Sequence, residues 1–303
     1  MDIYLPIAEI SVNLFALLAL GSVIGFLSGL FGVGGGFLLT PLLIFLGIPP
    51  AVAVGSGATH ILSSSVSGVL SHLRRKAVDL KLGAVLTAGG MVGSSLGVLL
   101  FGWLQRQGHI DIVIALSYVF LLGTVGGLMF AESFGTMIRS AARPVARRAK
   151  LHQHHWLHGL PLKMRFPISR LYISALLPLT IGAAVGMLTA IMGVGGGFIM
   201  LPAMIYLIGM PTSVVVGTSL LQISVVSALT SFLQAYNNQT VDIILALLLI
   251  AGGVVGAQFG SRAGAVLRGE HLRILLAALV LLVCGKLAWD LIATPVDPYV
   301  LAR

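Results

Sequence analysis

The side chains able to do chemistry within the apolar part of this chain are few, and they come in matched sets. His60 follows Ser56 and Thr59 in "VGSGATH" (54–60), and Gln222 follows Thr218 and Ser219 in "VGTSLLQ" (216–222). His60 matches Gln222, and Ser56 matches Thr218, at one spacing of 162 (222 − 60). Hydroxyls and amides of this kind can donate hydrogen bonds to an anion; the plainer reading is bonding to carbonyls of their own helix. Imidazole changes charge near neutral pH, so His60 can carry a proton with an anion or attract one. A neutral histidine bonded to a neighbouring helix is the alternative. Ser56 and His60 are four residues apart on one helix face and superficially resemble a nucleophile and its base. With no evident acid to orient the histidine, hydrolysis is a weak reading and the chain is expected not to be an enzyme. "HQHHWLH" (152–158) holds four of the eight histidines, with His154 and His158 in i,i+4 spacing. It contains no cysteine or acid, so it reads as a solvated connection, and no metal or cofactor is expected.

These groups must be positioned by the element that recurs beside them. "GVGGGF" appears at 32–37 and again at 193–198, each time with proline four residues on, at Pro41 and Pro202. Glycines in succession disfavour a continuous helix, and irregular backbone survives in a bilayer only where protein or a water-filled cavity satisfies it. The motif lacks the Lys followed by Ser or Thr of a nucleotide-binding loop. A short helix begun within the membrane exposes unpaired N–H groups at its positive end, which suits an anion. Gly32, Gly34, Gly35 and Gly36, with Gly193, Gly195, Gly196 and Gly197, are therefore candidate binding residues beside Ser56, Thr59, His60, Thr218, Ser219 and Gln222. The later glycines, Gly93 and Gly97 or Gly256 and Gly260, read instead as close helix packing.

The surrounding composition is that of a membrane protein: 57% of the 303 residues are hydrophobic and only 9% are charged. No Asp, Glu, Lys or Arg occurs in residues 10–73 or 171–241, and each run is long enough for about three crossings. About ten apolar segments follow from the pattern. The net charge of +9 reflects topology rather than nucleic-acid binding. Fifteen of eighteen basic residues fall in three groups: Arg74–Lys81, Arg139–Arg170 and Arg262–Arg273. These groups are assigned to the cytoplasm, and both termini, "QRQGH" and "YNNQT" to the periplasmic or extracellular side. No removable signal peptide is evident. The single Cys284 excludes an internal disulfide. Lys286 lies toward the end of its run, with Asp290 as a helical partner.

Further matches extend the duplication. Val78 and Asp79 return as Val241 and Asp242, and "GGMVGSSLG" (89–97) answers "GGVVGAQFG" (252–260). The expected architecture is all-α: two inverted repeats, each of about four transmembrane helices plus a short broken-helix segment after GVGGGF. The first repeat covers 1–131, a basic cytoplasmic connection 132–170, and the second repeat 171–303. Expected helices are 11–30, 37–48, 51–73, 82–104 and 110–131, then 171–191, 198–209, 212–235, 241–262 and 272–292. Trp156 and Phe166 are expected to anchor the connection at the membrane interface.

GVGGGF followed by proline in both halves, "VGSGATH" with "VGTSLLQ", and "LHGLPLKMRFPISRLYISALLP" (157–178) resemble the TauE/SafE family of sulfite exporters. The resemblance covers nearly the whole chain. It implies a multi-pass inner-membrane permease for small sulfur-containing or organic anions, with sulfite and sulfoacetate as typical substrates. An anion channel with the same lining is the other reading. Since no Lys or Arg lies deep in the bundle, the anion is expected to be read by neutral donors.

Overall fold

The computed structural model describes residues 2–31, 36–140, 162–169, 171–266 and 269–293. Its first half runs β1 (Asp2–Leu5), β2 (Ile10–Asn13), α1 (Leu14–Phe31), α2 (Gly36–Phe45), α3 (Pro50–Arg74), α4 (Leu80–Arg106) and α5 (Ile110–Ser140). The second runs β3 (Lys163–Phe166), β4 (Leu171–Ser174), α6 (Leu176–Met192), α7 (Gly197–Pro202), α8 (Thr212–Leu233), α9 (Ile243–Val266) and α10 (Gly269–Ile292). A π-helical turn, Ala203–Ile208, prolongs α7, and another, Gln234–Asn238, prolongs α8. Five helical stretches are long and apolar enough to cross a membrane: Leu80–Arg106, Ile110–Ala131, Val214–Asn238, Ile243–Gly260 and Ile274–Ile292.

The chain is mainly helical, as expected, with two short antiparallel hairpins added to the helices. Asp2 pairs with Asn13, and Lys163 with Ser174, each hairpin turning through a proline, Pro6 or Pro167. The helices expected from 11 and 171 therefore start at Leu14 and Leu176. Ile10–Val12 and Leu171–Ile173 are apolar enough to look like helix extensions, yet their β-branched residues also suit a pleated strand. Each hairpin opens its half, so matched elements of the second half begin at Lys163, inside the segment read as a connection. Phe166, expected at the interface, is fully buried against Leu82, Leu86, Val185 and Met204. Burial of that ring fixes the hairpin to α4 and α6.

The halves pack crosswise. α1 lies along α9 and its counterpart α6 along α4, while α3 meets α8 and α5 meets α10. Exchanging the halves maps the α1–α9 contact onto α6–α4 and the α3–α8 and α5–α10 contacts onto themselves. Glycine makes the crosswise pairs possible: a β-carbon on Gly93 would overlap the Ala183 carbonyl, and one on Gly256 the Ser22 carbonyl. In lipid, where no hydrophobic force separates helix from solvent, such close backbone approach is a main source of association.

A pair of buried carboxylates ties each hairpin to the opposite half. Asp79 caps α4 by accepting from the Leu82 N–H (3.1 Å), and its other oxygen accepts from Ser169 N–H (3.0 Å) and Oγ–H (2.6 Å). Asp242 caps α9 through Leu245 N–H (3.1 Å) and accepts from Ile7 N–H (3.1 Å) in the first hairpin. Their backbone N–H groups donate to Thr218 Oγ1 (3.0 Å) and Ser56 Oγ (2.9 Å), respectively. Among the described residues neither carboxylate has a cationic partner, and bonds from several N–H donors satisfy it in its buried place.

Candidate functional site

At the second GVGGGF, α6 stops because the chain turns left-handed. Gly193, Gly195 and Gly196 have φ of 68°, 73° and 72°, values that glycine adopts at no steric cost. The Gly193 N–H bonds back to Thr189 O (2.8 Å), and Met200 N–H bonds to Gly196 O (2.7 Å) as α7 begins. The freed Met192 carbonyl accepts from Tyr118 Oη (2.7 Å), a buried phenol supplied by the other half. Gly36 is buried at the start of α2; Gly32, Gly34 and Gly35 lie outside the described residues. The two motifs meet directly: Phe37 stacks on Phe198 with ring centroids 4.6 Å apart. Between them Ile61 of α3 fills the space left by Gly36 and Gly195; a β-carbon on Gly195 would lie 2.5 Å from Ile61 Cγ2.

Around this junction the structure distributes the other candidates unequally. Ser56 and Thr218 are engaged in the Asp242 and Asp79 latches. Ser219 Oγ donates to Val216 O in its own helix (2.9 Å), and Thr59 Oγ1 donates to Ser231 Oγ of α8 (3.3 Å). His60 and Gln222 occupy equivalent positions against the crossing helices. The imidazole lies on the α9 backbone at Gly253, and a β-carbon on Gly90 of α4 would be 2.8 Å from Gln222 Nε2. Gly253 and Gly90 are themselves matched glycines.

Buried polar atoms without partners mark what the sequence reading missed. Among the described residues they are Thr40 Oγ1, His60 Nδ1, His72 Nδ1, Gln222 Oε1 and Ser227 Oγ. Native proteins pair nearly all such atoms, so a group of orphans on α2, α3 and α8 calls for a ligand, water or another conformation. Thr40, four residues beyond Gly36, and Ser227, five beyond Gln222, were legible only as helix residues next to the motifs.

A cavity of about 380 Å³ opens beside His60, between α1, α3, α8 and α9. Ser63, Ser64 and Ser67 continue its wall along α3 to His72, with Gly29 of α1 on the rim. Ser67 also lines a surface recess formed with Leu70, Arg74 and Arg75. The route from surface to His60 thus has a hydroxyl stripe on α3 facing apolar residues of α8 and α9, with cations at its outer end, and among the described residues no Asp or Glu lines it. At the matched place in the other half, Val225, Val226 and Leu229 stand where α3 has Ser63, Ser64 and Ser67. There Gln234, fully buried, donates from Nε2 to Ala190 O (3.1 Å) and accepts at Oε1 from Asn238 Nδ2 (2.6 Å) and Thr240 Oγ1 (3.2 Å). Lys286 stays peripheral, paired with Asp290 at 2.8 Å. His152, His154, His155 and His158 lie outside the described residues.

Duplicated halves joined crosswise, apolar helices of spanning length and a cavity beside the buried His60 together fit a multi-pass membrane transport protein. The family model "Sulfite exporter TauE/SafE" matches residues 17–287, and the chain belongs to that family. It is 30% identical over 271 residues to "Probable membrane transporter protein YjnA" of Bacillus subtilis, covering 88% of this chain and 96% of the relative. It is also 30% identical to a "Probable membrane transporter protein" of Xylella fastidiosa, over 82% of this chain and 84% of the other. "Sulfite exporter TauE/SafE family protein 5" of Arabidopsis thaliana is 30% identical over 122 residues, 39% of this chain and 26% of that protein. No solved structure matches the chain.

Proposed function

We propose that the protein is a carrier that exports or exchanges small anions, sulfite or organosulfonates such as sulfoacetate, across the cell inner membrane. The observation that carries this reading is the cavity that reaches His60 from one surface, while at the matched positions of the other half Val226 and Gln234 are buried. A carrier between turnovers is open on one side only, whereas a channel with the same lining needs a continuous path. The anion binds where the two motifs meet, read by neutral donors: the Gly193–Gly197 backbone and the side chains of Thr40, Gln222 and Ser227. Gly36 is the described residue of the first motif that joins this set from the opposite half; by the sequence match Gly32, Gly34 and Gly35 are assigned the same role. Ser56 and Thr218 serve it indirectly, by holding α4 and α9 in register.

The halves are inverted, each making an odd number of crossings, with the Arg74–Lys81 end of the cavity in the cytoplasm and both termini outside. A cysteine replacing exposed Gln107 should react with an impermeant thiol reagent from outside intact cells, and one replacing Arg75 only after lysis. The reverse pattern would overturn the orientation. For activity, purified protein in liposomes is to be offered sulfite, thiosulfate, sulfoacetate and small carboxylates. Saturable counterflow of a sulfur oxyanion supports the carrier; unitary conductance in planar bilayers would replace it with the channel.

A further inference from the structure

We infer that His72 is the cytoplasmic gate of the carrier and that Gln234 is its already closed counterpart on the other side. His72 matches Gln234 at the spacing that relates His60 to Gln222 (234 − 72 = 222 − 60 = 162), and Gly29 matches Ala190 at the motif spacing (190 − 29 = 193 − 32 = 161). In the sealed half, the Gln234 side chain crosses from the end of α8 to the Ala190 carbonyl of α6. In the open half, the matched pair stands apart: His72 and Gly29 both line the cavity, and His72 Nδ1 has no partner.

The contacts that relate the halves are reciprocal, so an arrangement available to one is sterically available to the other after the crosswise pairs rock. Applied to the first half, it brings a His72 ring N–H onto the Gly29 carbonyl. A neutral imidazole always has one N–H to give, so the closure does not depend on protonation. The wall below would then collapse around Ser63, Ser64 and Ser67. In the same movement Gln234 leaves Ala190, and the buried apolar side chain of Val226 moves aside to open a path toward Gln222. The π-helical turn Gln234–Asn238 suits such a change, because π-bulges are helix segments able to re-register and recur at functional sites. Asn238 and Thr240, bonded to Gln234 Oε1, hold the present closure and have no matched pair around His72. This asymmetry favours the inward-open state at rest. The inference rests on the carrier reading and adds the residues that alternate.

The test uses the full chain in proteoliposomes, in a Cys284→Ala background so that introduced cysteines are the only thiols. A cysteine at Ser67 reports cavity access from the cytoplasmic side. Gln234→Ala should lower its labelling rate about fivefold, the population change expected from losing one ordinary hydrogen bond. His72→Ala should leave labelling at its maximum and abolish any decrease caused by Gln234→Ala when the two are combined, with size-exclusion yield checking that the variant folds. A disulfide between cysteines at Gly29 and His72 should form more readily in the Gln234→Ala background, and should stop sulfite counterflow until reduced. Unchanged Ser67 labelling in Gln234→Ala, or full counterflow with the Gly29–His72 disulfide closed, would overturn the gate. Failure of the carrier reading is separately visible, as conductance that persists with that disulfide intact.

Discussion

The two halves share a backbone plan and differ along one face of one helix. On α3 the residues after His60 are Ser63, Ser64 and Ser67, ending in His72; on α8 those after Gln222 are Val225, Val226 and Leu229, ending in Gln234. The first face borders a cavity; on the second, Val226 and Gln234 are buried while Val225 is exposed. Duplication has kept what positions the helices, namely the glycine crossings and aspartate caps, and let the lining diverge. Scaffold and chemistry therefore respond to different substitutions.

Four expectations probe that division, in order of decreasing effect. Gly93→Val and Gly256→Val should each abolish monodisperse protein, because overlap with the facing carbonyls costs more than about 3 kcal/mol; size-exclusion yield in detergent is the readout. If only one variant is lost, the crosswise pairs are not equivalent. Next, Asp79→Ala should destabilise more than Asp242→Ala, by about 1.5–3 kcal/mol, since Asp79 accepts one additional charge-assisted bond, from Ser169 Oγ. Ser169→Ala should erase most of that difference in thermal unfolding. Ser56→Ala and Thr218→Val come third, each orphaning one buried N–H at about 1 kcal/mol. Lost flux per folded molecule without lost stability would return both hydroxyls to the anion's own contacts.

Smallest in stability is His60→Gln, which gives α3 the residue that α8 already has. Counterflow should lose pH dependence if His60 carries a proton with the anion. His72 on the same cavity wall and Arg74 and Arg75 at its outer end are the other charged or titratable groups on that route; α1 and the described part of α8 contribute none. A profile unchanged from pH 5.5 to 8, a range of about one to two units around the ordinary imidazole value, would remove His60 from proton coupling.

The helices were legible because bilayer burial imposes long charge-free runs. Glycine packing was legible too, from Gly93 and Gly97 and their partners. The hairpins were not: Ile10–Val12 and Leu171–Ile173 satisfy both a helix and a strand pattern, and the repeated Pro6 and Pro167 were the available signal. At the site, Ser56 and Thr218 looked like donors because sequence cannot tell a hydroxyl facing a ligand from one facing a distant N–H. Ser63, Ser64 and Ser67 were overlooked because serine within a helix ordinarily bonds its own carbonyls, as Ser64 does with Ile61 (3.0 Å). Their meaning lies in the i, i+3, i+4, i+7 stripe that begins at His60.

The crosswise pairing of α1 with α9 has a consequence for the protein's birth. The end of α1 leaves the ribosome 212 residues before the start of its partner (243 − 31). Until then its glycine face has only lipid or the insertion machinery to lean on. Neither half can finish folding first, unlike the sequential domains of most long chains. Interrupted synthesis leaves a fragment with an adhesive stripe exposed, so quality control of this transporter falls on its second half.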